Sequence, residues 1–578
     1  MNIHIVRDNV LSYWYSLLAD ICYITKCPLD APNEITYDWV LKEAPMLEKQ
    51  ALAFIEGHRV ENPEFPDWLQ PLWDRFLAEK RGTDLQALRQ LLLFCYKIVH
   101  EPSHEQNQAA QAAFEETDES VRIWDQCHKH DLSRDETFRS ARQIVGAVIY
   151  RINWKEVVPK HGPGAVYPPA KPCDKSNFLT YYPTICQRYP YDQYFCGIPS
   201  FWEEVMVSND QRIRDGGLDI VAKLVSVPKD SRGPRLICVH PREAIWIQQG
   251  QRELLESAIT RSPLTRGRIN FTDQSVNGRL ALESSSTQEF VTLDLKEASD
   301  RMSADLVRFL FGDYAFDWLS CARATHIKLF DGRVMKLQKW APMGNCLTFP
   351  VQSLVFYSVV RAGIREFHGT DCEAIYVFGD DIIYPSKYHE GALRALVKCG
   401  FVPNFSKTFV KGLFRESCGV DAYSGIDVTP LRLKETDVNL AQSASSLCNL
   451  AKRLRLRGFT NCSASIYSSV IRRWGRLPFS NDPGVEGLVE YVDRDLGWLL
   501  CNERSLLWSN RFHCWRIRHR LVRSSPLGVS MGYWYNLQDS LIRLIREDRE
   551  ITERGTEYPD PYLARLTYGW TNVVERQR

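Results

Sequence analysis

Residues 374–385 read AIYVFGDDIIYP, two adjacent carboxylates set between runs of strand-forming apolar side chains. Tyr, Val, Ile and Phe favour extended backbone, while Gly followed by Asp favours a tight reversal. The stretch therefore reads as strand, turn, strand, with Gly379 and Asp380 at the turn. Taken alone, that is an ordinary polar hairpin. The reading changes with EFVTLDL at 289–295, a second strand by its β-branched content, with Asp294 near its end. If that strand pairs beside the hairpin, Asp294, Asp380 and Asp381 converge at one sheet edge. Three carboxylates so placed repel one another unless cations lie among them. Hard, oxygen-rich sites of this kind suit Mg²⁺ or Mn²⁺, and two such ions serve an in-line displacement. Neighbours on a strand point to opposite faces, so Asp294 and Asp380 are expected as primary ligands, with Asp381 supporting the second ion.

Outward from the hairpin, helical spacing runs through 303–323 and 346–367, with the loop KWAPMGN between them. A short helix, GALRALVKCG, follows the hairpin, and FVPNFSKTFVKG then reads as a returning strand. Strand, helix, helix, hairpin, helix, strand is an α+β order: a small antiparallel sheet covered on one face by helices. Upstream, AKLVSVPKDSRGPRLICVHP alternates like a strand and REAIWIQQGQRELLESAI like a helix. The first 150 residues are helical by period, and 157–178 dissolves into Gly, Pro and Lys.

At 578 residues the chain has room for three or four structural units, at least one with a full core. Its start carries Asp8 and Asp20 within the apolar pattern and lacks a small-residue cleavage site, and no apolar run is long enough to span a membrane. A cytoplasmic protein without membrane attachment is expected. None of the 17 cysteines has CxxC spacing, so reduced thiols are expected; CHKH at 127–130 has no partner cluster for zinc. The net charge of +1 conceals segregation: residues 101–136 carry ten acids against three Lys/Arg, and residues 451–523 carry fourteen Lys/Arg against six acids. The basic region interleaves with aromatics in KRLRLRGF, IRRWGRLPF and NRFHCWRIRHRLVR. That pattern suits phosphate neutralisation and base stacking, with a merely solvated face as the plain alternative.

Nucleotidyl transfer also needs an incoming triphosphate neutralised. KLVSVPKDSRGPR offers Lys223, Lys229, Arg232 and Arg235 on a strand-loop, which can line a triphosphate tunnel or be a basic surface. Lys407 in NFSKTF can protonate or steady a leaving pyrophosphate, or be an exposed strand lysine. Gly344 lets backbone approach a nucleic acid closely ahead of a helix. Asn345 beside it either caps that helix or reads a ribose hydroxyl together with Asp300.

VTLDLKEASD, APMGNCLTF, VFGDDIIYP and GFVPNFSKTF…FRESCGVDAYSGIDVTP, in that order, closely resemble the successive motifs of viral RNA-directed RNA polymerases. The resemblance is nearest to the replicase β-subunits of single-stranded RNA bacteriophages, the levivirus or Qβ-like group. With VPKDSRGPRLICVHP it covers roughly 223–430, and HGPGAV at His161 also looks like a loop of that family. It implies a right-handed fingers-palm-thumb polymerase that copies a single-stranded RNA genome from NTPs without a primer, in the cytoplasm of a bacterial host. It puts the metal-binding aspartates at Asp294, Asp380 and Asp381, the tunnel at Lys229, Arg232 and Arg235, and a ribose-sensing acid at Asp300. The second motif lacks the Ser-Gly start common in other viral RNA polymerases and reads Met343-Gly344-Asn345, which leaves the partner of the ribose 2′-hydroxyl open. The family also implies host partners: translation elongation factors Tu and Ts and a ribosomal protein.

The expected organisation is 1–150 as a helical N-terminal region contributing to fingers, 151–286 as fingers with the NTP-entry segment, 287–446 as palm, and 447–578 as a basic, aromatic thumb and C-terminal region. A reverse transcriptase shares the palm and paired aspartates, but the polar Asp300 and Asn345 argue against a gate that excludes ribose. A non-catalytic RNA-binding protein with a Ca²⁺-stabilised hairpin would not need the whole ordered series.

Overall fold

The protein is described by a computed structural model at residues 3–32, 35–57, 61–128, 131–170, 174–196, 199–214, 219–230, 233–492, 506–511, 514–525 and 563–572. At its centre, strand Phe290–Leu293 pairs antiparallel with Asp381–Pro385, which turns back on Tyr376–Phe378. The free side of the first strand is flanked by a single bridge from Thr292 to Phe409 and by the short pairing of Leu295–Lys296 with Val402–Pro403. The outer hairpin strand is bridged by Ile269 to Val377. The layer is thus mixed in its connections but antiparallel in its central ladder, and helices cover it, as the α+β reading expected.

The helix Thr348–His368 is apolar almost all round and is buried along most of its length, as its position in the centre of a core requires. It packs against the helices His389–Lys398, Glu136–Ile149 and Arg242–Arg261 and against strand Tyr376–Phe378. The helix Ser275–Thr287 lies on the strand Phe290–Leu293 and on the hairpin Phe414–Ser417 with Val420–Tyr423. A second sheet of four strands runs Gly233–Val239, Val221–Asp230, His326–Lys328, Val334–Lys336. Its last two strands fall in a stretch whose apolar residues are too few and too short to announce them.

Among the described residues, two hydrophobic cores divide the chain. One joins residues 114–196 with 220–401. The other joins residues 10–98 with 409–488, including the helices Ala441–Leu456 and Thr460–Trp474. The expected single helical region 1–150 is therefore shared between two cores. The reason is visible in polar contacts. Asp20, in the helix Ile3–Thr25, accepts from the backbone N–H groups of Asn461 and Cys462, both at 2.9 Å, and so satisfies the orphan donors at the start of the helix Thr460–Trp474. Arg89, 3% exposed, donates to Glu48 at 2.7 Å, Asp421 at 2.9 Å and the Val428 carbonyl at 3.0 Å.

Residues 401–412 are mostly not the returning strand expected: after Val402–Pro403 the chain turns through Asn404–Lys407, where the Lys407 N–H donates to the Asn404 carbonyl at 2.8 Å. Much of the basic, aromatic tail, including residues 493–505 and 526–562, lies outside the described residues, as do His130 and Lys129 of CHKH. Within the described part, Lys452 is buried and donates to the Val485 carbonyl at 2.7 Å, which removes it from any phosphate-facing role. The described cysteines are free thiols, and among the described residues no helix is long and apolar enough to cross a membrane.

Because Arg89 neutralises two carboxylates away from water, Arg89→Met is expected to destabilise the fold by roughly 3–5 kcal/mol, read from urea unfolding. A loss below about 1 kcal/mol would show that the two cores do not depend on this junction.

Candidate active site

The ladder between Phe290–Leu293 and Asp381–Pro385 pairs Val291 with Tyr384, Thr292 with Ile383 and Leu293 with Ile382. The ladder ends there: Asp294 follows Leu293 as Asp381 precedes Ile382, and the two carboxylates are near enough for the Asp294 charge to raise Asp381. Asp380 occupies the adjoining two-residue turn, between paired Phe378 and Asp381. Gly379 opens the turn at φ +66°, and a Cβ there would stand 2.5 Å from the Phe349 ring. Glycine is thus required twice, for the left-handed backbone and for the contact with the start of the helix Thr348–His368. At the tip Asp380 is exposed, while Asp294 and Asp381 are half-buried.

The three acids feel one another. Burial pushes the Asp381 carboxyl up to about 6, and the negative charges of Asp380 and then Asp294 add to it. Asp294 is also raised, first by burial and then by Asp380, against the lowering pull of Lys407, Asn404 and Lys229. Asn404 fixes Asp294 at two points: its side-chain amide donates to Oδ2 at 2.7 Å, and its backbone N–H donates to the Asp294 carbonyl at 2.9 Å. Asp381 receives long contacts from Ser417 Oγ at 3.4 Å and Cys418 Sγ at 3.6 Å. Among the described residues, no three His, Cys, Asp or Glu side chains are gathered closely enough to enclose a metal ion.

Lys407, exposed on its turn, pairs with Glu416 at 3.6 Å. Glu416, then Asp294 and Asp381, hold the Lys407 ammonium above its ordinary range against partial burial. Burial, with the nearby Asp421 charge, lifts Glu416 to about 7. Lys223, Lys229 and Arg235 are all exposed on the hairpin Val221–Asp230 with Gly233–Val239, and the Lys229 charge reaches Asp294. Lys223 also lies 5.9 Å from the Tyr167 ring centre. Arg232 lies outside the described residues.

Gly344 does not present open backbone to a ligand. At φ +117°, a Cβ on it would stand 2.2 Å from the Cys238 carbonyl oxygen, and the Cys238 N–H donates to the Met343 carbonyl at 2.8 Å. The glycine lets this loop dock on the basic hairpin. Asn345 Oδ1 accepts from the Leu347 N–H at 2.8 Å just ahead of the helix, while its Nδ2 is buried with no hydrogen-bond partner. Asp300 Oδ1 is likewise buried without a hydrogen-bond partner and stands 3.5 Å from the Lys339 ammonium. His161 of HGPGAV packs on Trp246 and Phe178, and Lys175 ties its loop by donating to the Gly162 and Gly164 carbonyls at 3.1 and 2.7 Å.

Asn404, Glu416 and Lys339 were not singled out by the sequence. Asn404 and Glu416 sit within motifs that were, but nothing local tells a side chain that holds another residue's carboxylate from one that solvates a loop.

With this geometry in view, residues 207–461 match the family described as RNA replicase, beta-chain. Two relatives make the likeness specific. The chain is 37% identical over 215 residues to the RNA-directed RNA polymerase beta chain of Escherichia phage MS2, covering 37% of this chain and 38% of that one. It is 37% identical over 247 residues to the RNA-directed RNA polymerase subunit beta of Escherichia virus Qbeta, covering 43% and 41%. The match therefore spans about two fifths of the length of these relatives. A solved RNA-dependent RNA polymerase of a human picorbirnavirus overlaps 44% of this chain and 56% of its own, at 11% identity and a TM-score of 0.33, a likeness too slight to bear on the fold.

The Asp381 carboxyl binds its proton more tightly folded than unfolded. In chelator, its contribution to stability is therefore fully present below about pH 4 and is lost as pH rises through about 6, by roughly 1–3 kcal/mol. Asp381→Asn should flatten that segment of the stability profile and raise the melting temperature at pH 7.5. An unchanged profile would mean that neither burial nor the neighbouring acids raise this carboxyl.

Proposed function

We propose that the chain is the catalytic subunit of an RNA-directed RNA polymerase, copying a single-stranded RNA genome from NTPs by nucleotidyl transfer with primer-independent initiation. The observation that carries the reading is that Asp294, at the end of the strand paired with Asp381–Pro385, lies near enough to Asp380 and Asp381 for their charges to be felt mutually, within the segment that matches replicase beta-chains. The donors are of the kind hard divalent ions take, carboxylate oxygens from a strand, a turn and the residue after a strand, with two of the acids raised in pKa by burial and mutual charge, although the three side chains would have to draw together to enclose an ion. Asp294, Asp380 and Asp381 would hold two Mg²⁺, with Mn²⁺ able to substitute. Bound there, such ions activate the attacking 3′-hydroxyl and stabilise the leaving pyrophosphate.

The chain's own residues take the remaining tasks. Lys229, with Lys223, Arg232 and Arg235, neutralises the triphosphate as it enters beside the carboxylates. Lys407, kept protonated by Glu416, offers a proton to the departing pyrophosphate. Asp300 Oδ2 and the unpartnered Asn345 Nδ2 meet the ribose 2′-hydroxyl, which needs one acceptor and one donor. In this reading 287–446 is the palm of a fingers-palm-thumb polymerase. The fingers come from the parts of 104–286 that share its core. The thumb is built from 447 onward, with the first ~100 residues packed against its base. Template and nascent RNA would run over the basic, aromatic tail, and host elongation factors Tu and Ts and a ribosomal protein would complete the enzyme in the bacterial cytoplasm.

The test is label incorporation from four NTPs on single-stranded RNA with Mg²⁺, run with the bare chain and with desalted bacterial extract. Incorporation is expected, with the extract raising it if partners are needed. Asp294→Asn and Asp380→Asn should each lower it at least about 10³-fold. Retention of a tenth or more of the activity by both variants would remove these acids from the chemistry.

A further inference from the structure

The helix His104–His128 makes an unusual seat for a charge. Lys339 is 0% exposed. Its ammonium donates to the Phe114 carbonyl at 3.1 Å and lies 3.5 Å from the centre of the Phe114 ring. Among the described residues, its carboxylate neighbour at ion-pair distance is Asp300, 3.5 Å away. From the same helix, Asp118 accepts the backbone N–H groups of Gln338 and Lys339 at 3.0–3.1 Å, so the lysine is held by its backbone as well as by its side chain. Trp340 N–H donates to the Met302 carbonyl, which ties the start of the APMGN loop to the turn that carries Asp300.

A buried lysine is costly unless its charge is used. Here it faces the acid whose Oδ1 is buried with no hydrogen-bond partner, while a quarter of the Asp300 side chain remains accessible. Burial raises the Asp300 carboxyl above its ordinary range, and Glu297 and Asp118 add to it, while Lys339 is the group that pulls it back down. A protonated Asp300 would offer a donor where an acceptor is wanted.

We propose that Lys339 is a positioning residue for sugar recognition: braced by Phe114 and Asp118, it holds the Asp300 carboxylate as a fixed acceptor for the ribose 2′-hydroxyl. The proposal rests on the polymerase reading above and extends it to a side chain that never touches the nucleotide. It makes the acidic helix of the first half of the chain part of the device that tells NTP from dNTP. Lys339→Met keeps an unbranched side chain in the buried position without the charge, and Phe114→Leu loosens the lysine's seat while leaving the lysine itself in place.

Steady-state incorporation of ATP and 2′-deoxyATP is measured with the full chain in the extract-supplemented reaction, alongside melting temperature. Lys339→Met should raise KM for ATP and narrow ATP-over-dATP discrimination by about tenfold or more, leaving kinetics on dATP near wild type. Phe114→Leu should shift the same ratio in the same direction by a smaller factor, and it carries the test if Lys339→Met does not fold. Asp300→Asn should lose discrimination, and adding Lys339→Met to it should lose no more. If Asp300→Asn loses discrimination while Lys339→Met and Phe114→Leu keep it, Lys339 is structural only and the proposal fails. If Asp300→Asn itself keeps discrimination, the sugar role of Asp300 fails and the proposal with it. The polymerase reading would still be judged separately by Asp294→Asn and Asp380→Asn.

Discussion

The alignment of Phe290–Leu293 against Asp381–Pro385 is the constraint on which the rest of the site depends. Side chains alternate along a strand, so a slip of one residue would send Asp294 to the opposite face from Asp381 and break the carboxylate cluster. The register is pinned from both sides. Gly379 seats the turn against Phe349, and Thr292 and Leu295–Lys296 are held from the other flank by Phe409 and Val402–Pro403. Mutual repulsion among the acids works against this geometry, and Asn404 and Lys407 offset part of it.

Around that centre the molecule assigns its two cores different tasks. The larger one wraps the sheet and joins it to the basic hairpin through Gly344 and Cys238. The smaller one ties the chain's beginning to the helices after residue 440, through Asp20 and Arg89, each a charge buried with its partners. Arg89 reaches Asp421, which borders Glu416, which pairs with Lys407 beside Asp294. A line of charged groups therefore runs from the N-terminal helices to the acids, with Asp421 and Glu416 side by side between Arg89 and Lys407, and it joins the buried Phe409 and Phe414 in holding the 404–417 segment.

The central sheet could be read from the sequence because its signals are local: β-branched runs, a GD turn, and helical spacing between them. So could the long helices, whose bounds differ from the reading by a few residues. Contacts set by distant chain were not legible. FVPNFSKTFVKG has strand composition, yet Asn404 spends its amide and its N–H on Asp294, and the backbone turns instead. Gly344 looks like a site of ligand approach, but the approaching backbone is that of Cys238. The 1–150 helices all have the same period, and nothing in a period says which core will bury them. Lys339 looks like any loop lysine until Phe114 and Asp300, 225 and 39 positions earlier in the sequence, close over it.

If Asp294, Asp380 and Asp381 share divalent cations, anomalous scattering from crystals of the full chain soaked in manganese should show peaks between their carboxylates, and these should vanish in the Asp294→Asn protein. A crystal with no peak there, or with the ion on a single exposed acid and Asp294 turned away, would contradict that sharing.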